Sequence, residues 1–227
     1  MIDPTERTVL VLGANSMIAF YLIPQLRAAG YHVHVTSRSD VDIEGVVVHK
    51  LSDQNAIPEC ATIISLLPIS LLVIPVFHDL LCRDSVRRII AFSSTSVLTK
   101  QYSDDANEQN LVTALREGEA ALWRVGEKTD NAPATTLFRP TMIYDGVRDH
   151  NVTRIAEWLR RFHGFPLIAQ GKGLRQPVHA EDLAHAVLQV LNAPASYGEV
   201  APVLRTVIFE SLGGISVVKP RWFAAVG

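Results

Sequence analysis

The run Gly13-Ala-Asn-Ser-Met-Ile-Ala19 stands between an apolar stretch, Thr8 to Leu12, and an amphipathic one, Ile18 to Ala29, which Gly30 ends. Strand, glycine turn and helix in that order can hold a phosphate. Glycine lets the backbone approach a pyrophosphate, and a helix N-terminus offers it unpaired N–H groups and a partial positive charge. Gly13 takes the first turn position, with Asn15, Ser16, Met17 and Ile18 following along the rim. The Ser16 hydroxyl can donate to a phosphate, and Ala19 is small enough for helix to pack on strand. A second apolar run, His32 to Thr36, completes one strand-helix-strand unit. At the end of that second strand, dinucleotide-binding folds place a carboxylate for the ribose hydroxyls of NAD, or an arginine for the 2′-phosphate of NADP. Here the carboxylate position falls on Ser37, and Arg38 comes next. A small hydroxyl beside a fork of guanidinium donors predicts NADP(H) in preference to NAD(H). An uncommitted surface arginine is the alternative reading of Arg38.

The elements that would position these residues follow one rhythm. Short apolar runs at Thr8–Leu12, His32–Thr36, Val46–His49, Thr62–Leu66, Arg88–Phe92 and Thr135–Phe138 read as strands. Helices fit Leu111–Val125, Val152–Phe162, Ala180–Leu191 and Val200–Leu212. That alternation predicts an α/β fold with a doubly wound parallel sheet of Rossmann type. At 227 residues, with 48% hydrophobic and 19% charged residues, the chain has material for one core, so a single domain over 1–227 is expected. A net charge of -2 provides no general attraction for nucleic acid or an anionic membrane. The uncharged run from Ala61 to Phe77 is short for a span and is broken by Pro68 and Pro75, so a buried strand followed by a loop and helix start explains it better. Cys60 and Cys82 lack metal-ligand or redox spacing and read as buried thiols, with no metal expected. The polar N-terminus is not laid out as a secretory signal, which makes the cytoplasm the expected location.

Further motifs extend the picture. Gly13 to Ala19 is similar to the Gly-x-x-Gly-x-x-Gly turn of the short-chain dehydrogenase/reductase superfamily, in particular its extended branch, the NAD-dependent epimerase/dehydratase family. Ser16 and Ala19 replace two of the three glycines. Phe92-Ser-Ser-Thr-Ser-Val97 resembles that family's Ser-Ser-x-x-Val-Tyr segment, which implies that Ser94 hydrogen-bonds the reacting oxygen of the substrate. The alternative is a serine cluster that satisfies a turn. Phe138-Arg-Pro-Thr-Met-Ile-Tyr144-Asp resembles Arg-Pro-x-x-x-Tyr-Gly, and this implies that Arg139 and Pro140 lie on the cofactor side, Pro140 beside the nicotinamide. Leu66, at the end of the fourth strand, is a further cofactor candidate. The block from Gly171 to Asp182 resembles one in which an arginine binds a substrate diphosphate, here Arg175, while His179 fixes a loop and Asp182 helps cap a helix.

The resemblance also implies a tyrosine and a lysine four residues apart, the lysine lowering the tyrosine's pKa for proton transfer. If Glu119 matches the family's glutamate on that helix, Leu111 and Leu115 occupy the two positions, and no other Tyr-x-x-x-Lys occurs. Tyr102 and Lys100 have the wrong spacing for one helical face. Besides a weaker one, a protein that binds no nucleotide because Ser16 and Ala19 disable the turn, two readings stay open. One is an NAD(P)-binding oxidoreductase acting on a nucleotide sugar or similar phosphorylated substrate; the other is a non-catalytic NADP(H)-binding regulatory or accessory protein. The resemblance further implies a reduced C-terminal substrate lobe from residues 145–175 and 192–227, and pairing into a homodimer through the helices that hold Leu80 and Leu111.

Overall fold

The computed structural model describes residues 7–39, 41–50, 56–128, 132–149, 158, 160–162, 177–193 and 200–203. Strands are β1 (Thr8–Leu12), β2 (His32–Ser37), β3 (Val47–Lys50), β4 (Thr62–Ser65), β5 (Arg88–Phe92), β6 (Ala134–Pro140), β7 (Ile143–Tyr144), β8 (Val178–His179) and β9 (Val200–Val203). Helices are α1 (Met17–Ala28), α2 (Pro75–Leu81), α3 (Ser96–Thr99), α4 (Ala106–Lys128) and α5 (Ala180–Leu191), with a 3-10 turn at Ile69–Val73. Seven parallel strands make one sheet in the order β3-β2-β1-β4-β5-β6-β9, and β7 pairs with β8 apart from it. Strand order reverses between β1 and β4. In open α/β sheets, that switch point at the carboxyl ends of the strands is where ligands bind.

Side chains alternate across the pleat and so build two cores. Val9 and Val11 of β1 join Ile18, Leu22 and Leu26 of α1 and Leu183 and Val187 of α5 on one face. Leu10 and Leu12 join the 3-10 turn, α2 and α4 through Leu72, Leu80, Leu115 and Leu122 on the other. On the second face Gly118, inside α4, meets the 3-10 turn backbone to backbone. A Cβ there would lie 2.5 Å from the Ile69 carbonyl carbon and 2.8 Å from the Ser70 nitrogen. Arg88, 5% exposed, ties the two halves of the chain together. It donates to the Ala134 carbonyl (3.1 Å), the Thr136 hydroxyl (2.9 Å) and the Val190 carbonyl at the end of α5 (3.2 Å).

The uncharged run resolves into β4, the 3-10 turn and the start of α2, which Pro75 opens from a first-turn position where its missing N–H costs nothing. Among the described residues no helix is long and apolar enough to cross a membrane. Two expectations need correction. The helix expected at Val200–Leu212 begins instead as strand β9, because Val200 to Val203 find an open edge on β6; Pro202, which lacks a ladder donor, is tolerable on such an edge. The helix read as Leu111–Val125 starts at Ala106, since the Asp105 carboxylate caps it by accepting from the N–H groups of Asn107 (2.7 Å) and Glu108 (3.4 Å). The helix expected at Val152–Phe162 and most of the expected substrate lobe lie outside the described residues.

Candidate functional site

The turn after β1 has the shape that a phosphate cradle needs. Gly13 sits at φ +97°, a conformation that costs glycine nothing and strains an L side chain. Its N–H points to the Thr36 hydroxyl of β2 (3.4 Å), and the Ala14 N–H donates to the Thr36 carbonyl (3.0 Å). Ser16 caps α1: its hydroxyl oxygen accepts from the Ile18 N–H (3.2 Å), which leaves the hydroxyl proton to be donated elsewhere. Met17 opens the helix, where an N–H has no intrahelical acceptor. The Ile18 side chain, by contrast, is buried in the α1 core, so only its backbone belongs to the rim. Leu66 lies across the turn, its N–H on the Leu12 carbonyl (2.9 Å), and a Cβ on Gly13 would come within 3.1 Å of Leu67.

The C-terminal end of β2 lies beside this turn. Asn15 donates from its amide to the Ser39 hydroxyl (3.4 Å), and the Ser39 N–H donates to Ser37 Oγ (3.2 Å). This small polar bridge joins the glycine turn to the loop that carries Arg38, whose side chain is exposed. Gly13, Asn15, Ser16, Met17, Ser37, Arg38 and Leu66 therefore gather at the switch point.

Ser94 and Pro140 meet at the ends of β5 and β6. The Ser93 N–H donates to the Phe138 carbonyl (2.7 Å) and the Thr95 N–H to the Pro140 carbonyl (3.0 Å), which extends the pairing past both strands. Ser94 itself is turned inward on its own segment: its Oγ accepts from the Ser96 N–H (3.1 Å) and donates to the Ser96 hydroxyl (3.1 Å). Arg139 does not serve the cofactor side, a correction to the expectation. Its guanidinium forks onto both carboxylate oxygens of Glu119 on α4, at 2.9 and 2.5 Å, in a pair with both side chains largely buried. On α4, Leu115 is buried in the core and Leu111 is 42% exposed; both are leucines, so neither position offers a proton donor. Arg175 lies outside the described residues.

Some residues around the site gave little signal in the sequence. Asp145 is buried and organises its loop: Oδ1 accepts from the N–H groups of Val147 (3.0 Å), Arg148 (2.6 Å) and Asp149 (3.2 Å), and Oδ2 faces the Arg148 guanidinium (3.3 Å). Burial pushes this carboxyl up, but the three N–H donors and Arg148 outweigh it and hold the group below the usual carboxylate range. Arg148 in turn stacks 3.7 Å over the Phe20 ring of α1. An aspartate followed by a glycine is the local signal for such a turn. His179 caps α5, its Nδ1 accepting from the Glu181 N–H (3.2 Å), and its ring packs edge-on against Tyr144 and Tyr21. The cap is thus His179, with Asp182 in the first turn behind it, where the helix dipole favours a carboxylate. Burial raises both tyrosines above their ordinary value, with nearby carboxylates adding to it, so these rings stay protonated and serve as packing. Cys60 is likewise buried, which pushes its thiol up to about 11.

With this geometry in hand, solved structures provide the comparison. The human epimerase family protein SDR39U1 (isoform 2), solved with NADPH, superposes with a TM-score of 0.68 at 16% identity, over 88% of this chain and 75% of that one. UDP-N-acetylglucosamine 4-epimerase from Bacillus cereus gives 0.65 at 15%, over 86% and 75%. UDP-glucose 4-epimerase from Thermotoga maritima, solved with UDP-glucose, gives 0.66 at 16%, over 86% and 76%. This chain has their fold. The Rossmann-type sheet that the sequence resemblance implies is therefore the one observed, and at these identities the likeness is one of fold. No protein-family model matches the sequence, and no curated protein sequence does.

Proposed function

We propose that this chain binds NADP(H) at the switch point and is an oxidoreductase of the epimerase/dehydratase kind, acting on a nucleotide sugar or similar phosphorylated substrate. One observation carries the cofactor half of this reading. The Gly13 turn, the start of α1 and the Ser37–Arg38 loop are joined by the Asn15–Ser39 bridge into one rim with donors for a pyrophosphate and a 2′-phosphate. The cofactor, when bound, supplies the hydride acceptor or donor. Met17 N–H and the Ser16 hydroxyl hold the pyrophosphate, Arg38 holds the 2′-phosphate, Leu66 and Pro140 flank the crevice, and Ser94 turns from Ser96 to the reacting oxygen. Arg175 holds the substrate's phosphate. Leu111 and Leu115 supply no proton, so the acid/base is a water or another residue.

A second reading, a non-catalytic NADP(H)-binding regulatory or accessory protein, is favoured by Leu111 and Leu115. Thermal shift with NADPH, NADH and UDP-sugars separates the two, because a ligand that binds only the folded state raises the melting temperature by mass action. The enzyme reading expects shifts with NADPH and with a sugar nucleotide, and nicotinamide absorbance that changes on turnover. A shift with NADPH alone and no turnover selects the second reading, and no shift with either dinucleotide overturns both.

A further inference from the structure

On the far side of α1 from the cradle, an open groove of about 490 Å³ runs between the C-terminal end of α1, the start of β2 and the turn into β3. Arg27, Tyr31, His32 and His34 line it, and among the described residues no carboxylate does. Among the described residues the side chains of Arg27, Tyr31 and His32 make no hydrogen bond or ion pair. Helix capping does not occupy Arg27 either. The carbonyls of Gln25, Leu26 and Arg27 already accept from the N–H groups of Ala29 (3.0 Å), Tyr31 (3.0 Å) and Gly30 (2.9 Å). The guanidinium instead lies over Gly45, at φ +67°, where any side chain would displace it.

A third imidazole stands behind these groups. His34 Nδ1 lies 2.8 Å from His49 Nε2 of β3, with the rings stacked. Burial, then His49 and His32, lower the His34 pKa, as expected where groups that become cations crowd together. Glu44, exposed on the turn beside Gly45, is the nearest acidic residue in sequence to the groove and does not line it.

We infer that this groove is a binding site for a tetrahedral dianion of the phosphate or sulfate class, held by Arg27 with Tyr31, His32 and His34, and separate from the cofactor crevice. The guanidinium fork matches tetrahedral oxygens, and a dianion offsets the positive charge gathered at Arg27 when His34 takes a proton. Binding and protonation are therefore linked, so the ion raises the His34 pKa and binds more tightly as the pH falls through the histidine range.

The test is NMR of the histidine rings in the full chain titrated with sodium sulfate, which stays a dianion across the range, against sodium chloride at equal ionic strength. Saturable shifts of His32 and His34 are expected, with His185 of α5 unmoved and affinity higher at about pH 6 than at about pH 7.5. Arg27→Gln, on an exposed helix position, should weaken sulfate about tenfold or more, as loss of a charge-assisted hydrogen bond does. Gly45→Ala should weaken it too, by displacing the guanidinium. Equal responses to sulfate and chloride, affinity unchanged in Arg27→Gln, or equal shifts of His185 would overturn the site.

Discussion

The two faces of the sheet have been treated differently at their carboxyl ends. On the α1 side the chain keeps open what a ligand needs: a glycine at positive φ, a capped helix start, and a loop arginine with its guanidinium in solvent. On the α4 side the equivalent space is filled. Leu115 is core, Arg139 is spent on Glu119, Ser94 is folded onto Ser96, and Gly118 brings α4 onto the 3-10 turn backbone to backbone. One face keeps an open turn and an exposed arginine, while the other is closed by side-chain and backbone packing.

The largest blow to this contrast comes from Gly118→Val. With no room between α4 and Ile69, the side chain forces the helix away, and a loss of about 3 kcal/mol or more is expected in denaturant unfolding. NADPH affinity of the folded fraction should not change; if it falls in step, the two faces are coupled and the contrast fails. Arg38→Ala tests the other face. Loss of charge-assisted hydrogen bonds to a 2′-phosphate should lower the preference for NADPH over NADH by about ten- to a hundredfold, with NADH binding unaltered. An unchanged ratio in a titration would make Arg38 an ordinary surface residue.

Smallest is a pH effect that distinguishes His34 of β2 from Asp145 in the loop after β7. His34 is held below its ordinary value, so the stability it contributes is present above about pH 6.5 and declines as pH falls from there. Asp145 is also held low, and its contribution is present above the ordinary carboxylate value, about 3.9, and is lost as pH falls further. Melting curves across pH should show a first step that His34→Asn removes and a second that Asp145→Asn removes. A single step below pH 4 that survives both variants would disprove the assignment.

The sequence made the α1 side legible because its chemistry is local. A strand, a glycine turn, a helix and a second strand lie within thirty residues, and periodicity locates each. Bounds of β1, β5 and α5 follow directly from apolar patterning. What patterning hides is partnership across the sheet. Val200 to Val203 read as helix until β6 supplies an edge, and nothing near Arg139 announces that Glu119, twenty residues earlier, will claim it. Asp105 was readable as a cap but stood beyond the apolar stripe that marked the helix. The Asp145 loop needed three backbone N–H groups to converge, a property of shape and not of spacing.

Arg88 bears on the order in which the molecule is made. Its guanidinium is buried in β5, yet one of its acceptors, the Val190 carbonyl, lies 102 residues later. As the chain leaves the ribosome, β1 to β5 can pair without that acceptor, but the β5–β6 region completes its polar contacts only when the end of α5 has emerged. A chain stopped before Ala180 therefore leaves the buried Arg88 guanidinium short of an acceptor and should unfold at lower denaturant than the full chain.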